Sequence, residues 1–126
     1  MKKILVVDDE SDVVAYLTTF FQDQGYSTLS APDGEQALKV LEQERPDLVT
    51  LDITMPNRSG LRFYRDLRES ETWRSIPVII VTGVGGDPEG FHKLISSRTQ
   101  VPPPEGFMAK PIDRSKLLKM VKDRIG

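Results

Sequence analysis

Cysteine is absent from the 126 residues, which excludes disulfides, thiolate metal sites and a cysteine nucleophile, and is compatible with the cytoplasm. Histidine is almost absent: His92 stands alone, so no imidazole cluster can form and zinc or redox-metal chemistry is disfavoured. An excess of one charge is lacking too. With 17 basic and 19 acidic side chains the net charge is −2, and nothing global points to nucleic acid. Long apolar runs are missing. Met1-Lys2-Lys3 has the charge of a signal-peptide start, but only Ile4 to Val7 follow before Asp8. That run is too short for a signal-peptide core, and no stretch approaches a membrane span. There is no internal repeat or low-complexity tract, and Pro102 to Pro104 form the only proline cluster.

What is present suits one folded domain over residues 1–126. With 38% apolar side chains the chain can bury a core, and the length leaves no room for an output domain beside it. Ile4 to Val7, Leu48 to Leu51 and Val78 to Val81 are short and apolar, as strands covered on both faces of a parallel sheet are. Tyr26 to Ala31 and Gly106 to Lys110 are weaker and suit sheet edges.

Helical patterns lie between the strands. Val13, Leu17, Phe20 and Phe21 stop at Gly25, and Ala37, Leu38, Val40 and Leu41 stop at Pro46. Leu61, Tyr64, Asp66, Leu67 and Arg68 suit a third helix. A short fourth is expected from Asp87 as cap and Pro88, burying Phe91, Leu94 and Ile95. The last runs from about Asp113 to Ile125 with Leu117, Leu118, Val121 and Ile125 inward. Five βα units in succession predict a doubly wound α/β sandwich around a five-stranded parallel sheet. The expected strand order is 2-1-3-4-5, the flavodoxin-like (βα)5 arrangement.

Such folds collect functional groups beyond the carboxyl ends of their strands. The run ILVVDDE ends the first strand on Asp8, Asp9 and Glu10; Asp52 follows the third strand, Thr82 ends the fourth and Lys110 the fifth. Singly, an acid can cap a helix, a threonine can favour a strand and a lysine can be solvated. Together they converge on one rim. Close carboxylates repel unless a cation neutralises them, and Mg²⁺ is the natural partner: a hard ion that takes one or two carboxylates, waters and a phosphate oxygen.

These residues resemble the receiver domain of two-component response regulators, and the resemblance spans the chain. It is carried by DD (Asp8, Asp9), LDITMPNRSG (Leu51 to Gly60), VTG (Val81 to Gly83) and KP (Lys110, Pro111). It implies that Asp52 is the phosphoacceptor, taking a phosphoryl group from a phosphohistidine on a histidine kinase or a phosphotransfer protein to form an aspartyl phosphate. It implies Mg²⁺ held by Asp9 and Asp52, with Asp8 acting largely through water and the backbone carbonyl of Thr54 as a further ligand. Lys110 would pair with one phosphoryl oxygen and Thr82 would hydrogen-bond another. Gly83 would leave the approach to Asp52 open, and a cis Lys110-Pro111 bond would fix where the lysine points.

The same resemblance makes Thr82 and Phe107 a switch pair that changes how an unidentified downstream protein is bound. Phe107 stands where a tyrosine would have a hydroxyl to favour one rotamer, and a plain core phenylalanine is its competing reading. A phosphorylation-dependent homodimer is compatible with the family. Val14, Ala15 and Thr18 are the candidates for kinase contact, with core packing the alternative for Val14. Neither Thr54 nor Val84, each two residues after a site residue, suits orientation of a hydrolytic water, so the aspartyl phosphate is expected to be long-lived. The stretch from Gly83 to Gly106 is longer than the family pattern and puts the downstream partner in doubt. On the last helix Arg114, Lys116, Lys119, Lys122 and Arg124 outnumber Asp113 and Asp123 by three, which a solvated face explains as well as docking does.

Three other functions compete. A haloacid-dehalogenase-type phosphohydrolase would carry Asp-x-Asp on the first strand, where this chain has Asp8-Asp9-Glu10. A flavodoxin-like cofactor binder would have Gly, Ser or Thr in the first loop to cradle a phosphate. A receiver that is never phosphorylated would keep the fold alone. The expected chemistry is confined to the domain's own phosphorylation and dephosphorylation, so the chain is not expected to act as an enzyme on a metabolite, to bind DNA directly or to enter a membrane.

Overall fold

The computed structural model describes residues 1–53, 59–83 and 103–126. Thr54, Val84, His92 and the short helix expected from Asp87 through Phe91, Leu94 and Ile95 lie outside the described residues. The described elements are β1 (Lys3–Val7), α1 (Ser11–Asp23), β2 (Ser27–Ala31), α2 (Gly34–Gln43), β3 (Leu48–Leu51), α3 (Ser59–Glu69), β4 (Val78–Thr82), β5 (Gly106–Ala109) and the C-terminal helix α4 (Arg114–Ile125). The five strands form one sheet in the order β2-β1-β3-β4-β5, every neighbouring pair parallel. The expected order is therefore the observed one, with the two weaker strands at the edges.

Strand alternation sends successive side chains to opposite faces, and the core divides accordingly. Leu5, Val7, Val49, Leu51, Val78 and Ile80 meet Ala37 and Leu41 of α2 and Phe63, Tyr64 and Leu67 of α3. On the other face Ile4, Val6, Leu48, Ile79 and Val81 meet Leu17 and Phe21 of α1 and Leu117 and Val121 of α4. Both layers are shut off from water, which is why the central strands are almost wholly apolar, with buried Thr50 interrupting β3. Each Val, Leu, Ile or Phe among them contributes about 1.5–3 kcal/mol relative to an exposed one.

The helix ends follow local chemistry. Asp33 precedes α2 in an extended conformation and its carboxylate accepts from the Gln36 N–H at 2.8 Å. Asp113 does the same for α4, accepting from the Lys116 N–H at 3.1 Å. The chain leaves α1 through Gly25, whose φ of 93° is the left-handed region that glycine tolerates best.

At the amino-terminal end of the sheet a polar cluster was not apparent in the sequence. Arg68 on α3 is only 6% exposed. Its guanidinium donates to the Tyr64 hydroxyl at 3.1 Å and to the carbonyls of Arg74 and Ile76 at 2.8 and 2.9 Å, and it pairs with Glu105. The same Glu105 carboxylate accepts from the Val78 N–H at 2.6 Å, while the Glu105 N–H donates to the Val78 carbonyl at 2.9 Å. Glu105 thus joins the start of β4 to the residue just before β5.

Candidate functional site

The strand ladder continues one residue past the carboxyl ends of three strands. The Asp8 N–H donates to the Ala31 carbonyl at 3.2 Å, the Asp52 N–H to the Val7 carbonyl at 2.9 Å, and the Lys110 N–H to the Thr82 carbonyl at 2.7 Å. These bonds fix the backbone of the three charged residues relative to the sheet. Asp52 sits centrally, after β3, between Asp8 after β1 and Thr82 at the end of β4.

The side chains converge as the rim pattern predicts. Asp52 is 1% exposed and Asp8 is 3% exposed, whereas Asp9 and Glu10 face solvent. The buried Thr82 hydroxyl donates to Asp52 Oδ1 at 3.2 Å. Lys110 Nζ lies 3.1 Å from Asp8 Oδ2, 3.1 Å from Glu10 Oε1 and 3.4 Å from Asp52 Oδ2. One ammonium therefore offsets three carboxylates. Burial by itself would lower the Lys110 ammonium, but Glu10, Asp8 and Asp52 outweigh it and hold the group above the usual lysine range. Burial pushes the Asp8 carboxyl above its ordinary value; the Glu10 N–H, donating at 2.9 Å, and Lys110 pull it back, while the Asp52 carboxylate adds to the rise.

Asp8, Asp9, Glu10 and Asp52 each offer an oxygen within 4.8 Å of the others. This donor set contains hard oxygens only and lies at the end of a parallel sheet, so a hard divalent cation fits it better than a thiophilic one. The residues named for Mg²⁺ are therefore brought together, apart from Thr54, which lies outside the described residues. Glu10 was not assigned a site role by the sequence, yet it reaches Lys110.

The remaining expectations are placed as follows. The Lys110-Pro111 peptide bond is cis. A Cβ on Gly83 would meet no described atom within 4 Å. Phe107 is half-buried against the α2/α3 core layer. Because Ile80 pairs with Phe107 and Thr82 with Ala109, alternation puts Phe107 and Thr82 on the same sheet face. On α1 Ala15 is exposed, Val14 packs against the core, and the half-buried Thr18 donates its hydroxyl to the Val14 carbonyl at 2.8 Å. The basic side chains of α4 are all exposed. Among the described residues no helix is long and apolar enough to cross a membrane.

A doubly wound sheet with acids, a threonine and a lysine on one rim defines an α/β protein of the receiver class. The model of the response regulator receiver domain matches residues 4–122, and the chain belongs to that family, the receiver domains of two-component signalling. It is 32% identical over 121 residues to the protein PilH of Pseudomonas aeruginosa, covering 96% of this chain and 95% of PilH. It is 34% identical over 121 residues to the alkaline phosphatase synthesis transcriptional regulatory protein PhoP of Bacillus subtilis, covering 96% of this chain but 47% of PhoP. The chain thus spans about half of that regulator. Among solved structures the chemotaxis protein CheY4 of Vibrio cholerae superposes with a TM-score of 0.82 at 26% identity, covering 98% of each chain.

Proposed function

We propose that Asp52 accepts a phosphoryl group from a phosphohistidine on a histidine kinase or a phosphotransfer protein, and that the aspartyl phosphate alters binding of a downstream protein. One observation carries this reading: a carboxylate 1% exposed has a threonine hydroxyl at 3.2 Å and a lysine ammonium at 3.4 Å. That is the pair of donors a phosphoryl group on Asp52 would need.

In the transfer an Asp52 oxygen forms a bond to phosphorus as the phosphorus–nitrogen bond of the donor breaks. The electron pair of that bond goes to the imidazole nitrogen. Little covalent work is left to the protein, so positioning and electrostatics dominate. Mg²⁺ held by Asp9 and Asp52, with Asp8 acting largely through water and the Thr54 carbonyl as a further ligand, would supply charge neutralisation at the transferring group. Lys110 is tethered by its backbone to Thr82 and brings a permanent positive charge to the phosphoryl oxygens. Thr82 gives up its bond to Asp52 Oδ1 and donates to a phosphoryl oxygen instead, and this inward turn is the switch.

Phe107, on the same sheet face as Thr82, follows that turn. Phosphorylation thereby stabilises the state in which both residues are inward, and the downstream partner reads the difference. The domain works in the cytoplasm, acts only on its own phosphoryl group, and makes no direct contact with nucleic acid. PilH, with which it shares nearly full length, supports reading residues 1–126 as one receiver domain.

The test is intact mass after incubation with Mg²⁺ and acetyl phosphate, beside Asp52→Asn. A gain of one phosphoryl in the wild type alone is expected. A gain in both proteins would show that Asp52 is not the sole acceptor, and no gain from several donors while Mg²⁺ still binds would favour a receiver that is never phosphorylated or one strictly dependent on a single kinase.

A further inference from the structure

Glu10 occupies the position before α1 where a short capping side chain would serve best. Its backbone is extended, with φ −88° and ψ 110°, and its carbonyl accepts from the N–H groups of Val13 and Val14 at 3.1 Å each. Its side chain makes no capping bond. The carboxylate reaches instead across the rim to Lys110, 3.1 Å from Nζ, while remaining 62% exposed.

The other two acids around Lys110 are fixed. Asp8 is tied by its N–H to Ala31 and through Oδ1 to the Glu10 N–H, and Asp52 by its N–H to Val7 and through Oδ1 to Thr82. Both are almost wholly buried. Among the described acids around Lys110, Glu10 is the one whose charged end lies mostly in water, so it can leave without stranding a buried charge. A phosphoryl group on Asp52 must recruit the same ammonium.

We propose that Glu10 is a positioning residue of this site: its carboxylate holds the Lys110 ammonium at the mouth before transfer and competes with the incoming phosphoryl oxygens for it. The role rests on the proposed phosphorylation of Asp52. Two effects of Glu10 have to be separated, the direct grip on Lys110 and the plain repulsion of an anionic donor. Glu10→Gln removes both. Glu10→Asp keeps the charge but is one methylene shorter, so its carboxylate loses reach towards an ammonium that Asp8 and Asp52 also contact, at 3.1 and 3.4 Å.

The experiment has two readouts on wild type, Glu10→Gln and Glu10→Asp. The first is the side-chain NMR resonance of the Lys110 Cε methylene in the resting protein, without metal or donor. The second is the dependence of the phosphorylation rate on acetyl phosphate concentration in Mg²⁺. Both variants are expected to move the Lys110 resonance in the same direction. Both are also expected to be phosphorylated about two- to fivefold faster at saturating donor, the range that loss of one exposed ion pair represents. Acceleration of Glu10→Gln alone would assign the effect to repulsion and overturn the proposal. A wild type that is phosphorylated at a rate neither variant changes would remove the role of Glu10 and leave Asp52 in place. No phosphorylation of wild type would remove the proposed function and this role together, even if the resonance moves.

Discussion

Thr82, the last residue of β4, and Asp52, directly after the neighbouring β3, are joined by a hydrogen bond of 3.2 Å in which the hydroxyl donates to the carboxylate. Thr82 is fully buried and Asp52 nearly so, so water cannot easily replace the bond. Thr82→Ala should therefore destabilise the metal-free protein by about 1.5–3 kcal/mol, the range for a hydrogen bond to a charged group. Thr82→Ser keeps the donor and should recover most of the loss. Urea unfolding of the three proteins checks this; equal midpoints for Ala and Ser would assign the effect to packing.

The raised carboxyl of Asp8 has a consequence for pH. A group whose folded value lies above its unfolded value of 3.8 binds protons more tightly in the native state. Its contribution to stability is present below that value and is lost as pH rises through the folded value. Without divalent cations, Asp8→Asn should accordingly be more stable than wild type at about pH 7, with the gap closing as acidification takes the pH down through the raised Asp8 value towards 3.8. Mg²⁺ should reverse the order at neutral pH, since the proposed ligand is lost. Urea midpoints across pH, with and without Mg²⁺, report both effects.

Lys110 offsets acids that a divalent cation would also offset. Lys110→Met leaves Asp8 and Asp52 without that countercharge and should lower stability by about 1.5–3 kcal/mol in the absence of metal. The same change removes a positive charge beside the acidic cluster, so Mg²⁺ should bind more tightly. Saturating metal should then restore part of the lost stability by mass action. Calorimetric titration that shows weaker Mg²⁺ binding in Lys110→Met would contradict this electrostatic account.

Arg68 and Glu105 form a pair whose guanidinium end is sequestered from water. Arg68→Met or Glu105→Gln removes one partner and should cost about 3–5 kcal/mol, as expected when a buried charge loses its counterpart. The double variant should cost less than the sum of the two. A double-mutant cycle in urea measures the coupling, and strict additivity would show that the two residues stabilise the fold independently.

The rim was readable from the sequence because each of its buried members ends or directly follows an apolar strand. In a parallel sheet those positions fall at one edge, whatever the loops between them do. Asp8, Asp52, Thr82 and Lys110 are therefore found by counting strands. Glu10 was not assignable in this way, since at a helix start it reads as an ordinary acid, and its reach to a residue 100 positions away is invisible to local patterns. Arg68 was concealed for a related reason. On a helix an arginine normally reads as solvated, and the acid that keeps it buried lies 37 residues later. Phe63, buried in the same layer as Tyr64, shows that α3 presents a wider apolar face than the spacing of Leu61, Tyr64 and Leu67 suggests.

Glu105 is anchored from several directions: by Arg68 from α3, by both backbone groups of Val78, and through its carbonyl by Arg124 of α4 at 3.3 Å. The path into β5 is thus recalibrated against β4 immediately before Gly106, whatever number of residues precedes it. Lys110 then emerges at its place on the rim by counting from Glu105, not from Thr82. The placement of Lys110 beside Asp8 and Asp52 is therefore set by the few residues from Glu105 onward and does not depend on the length of chain between those two anchors.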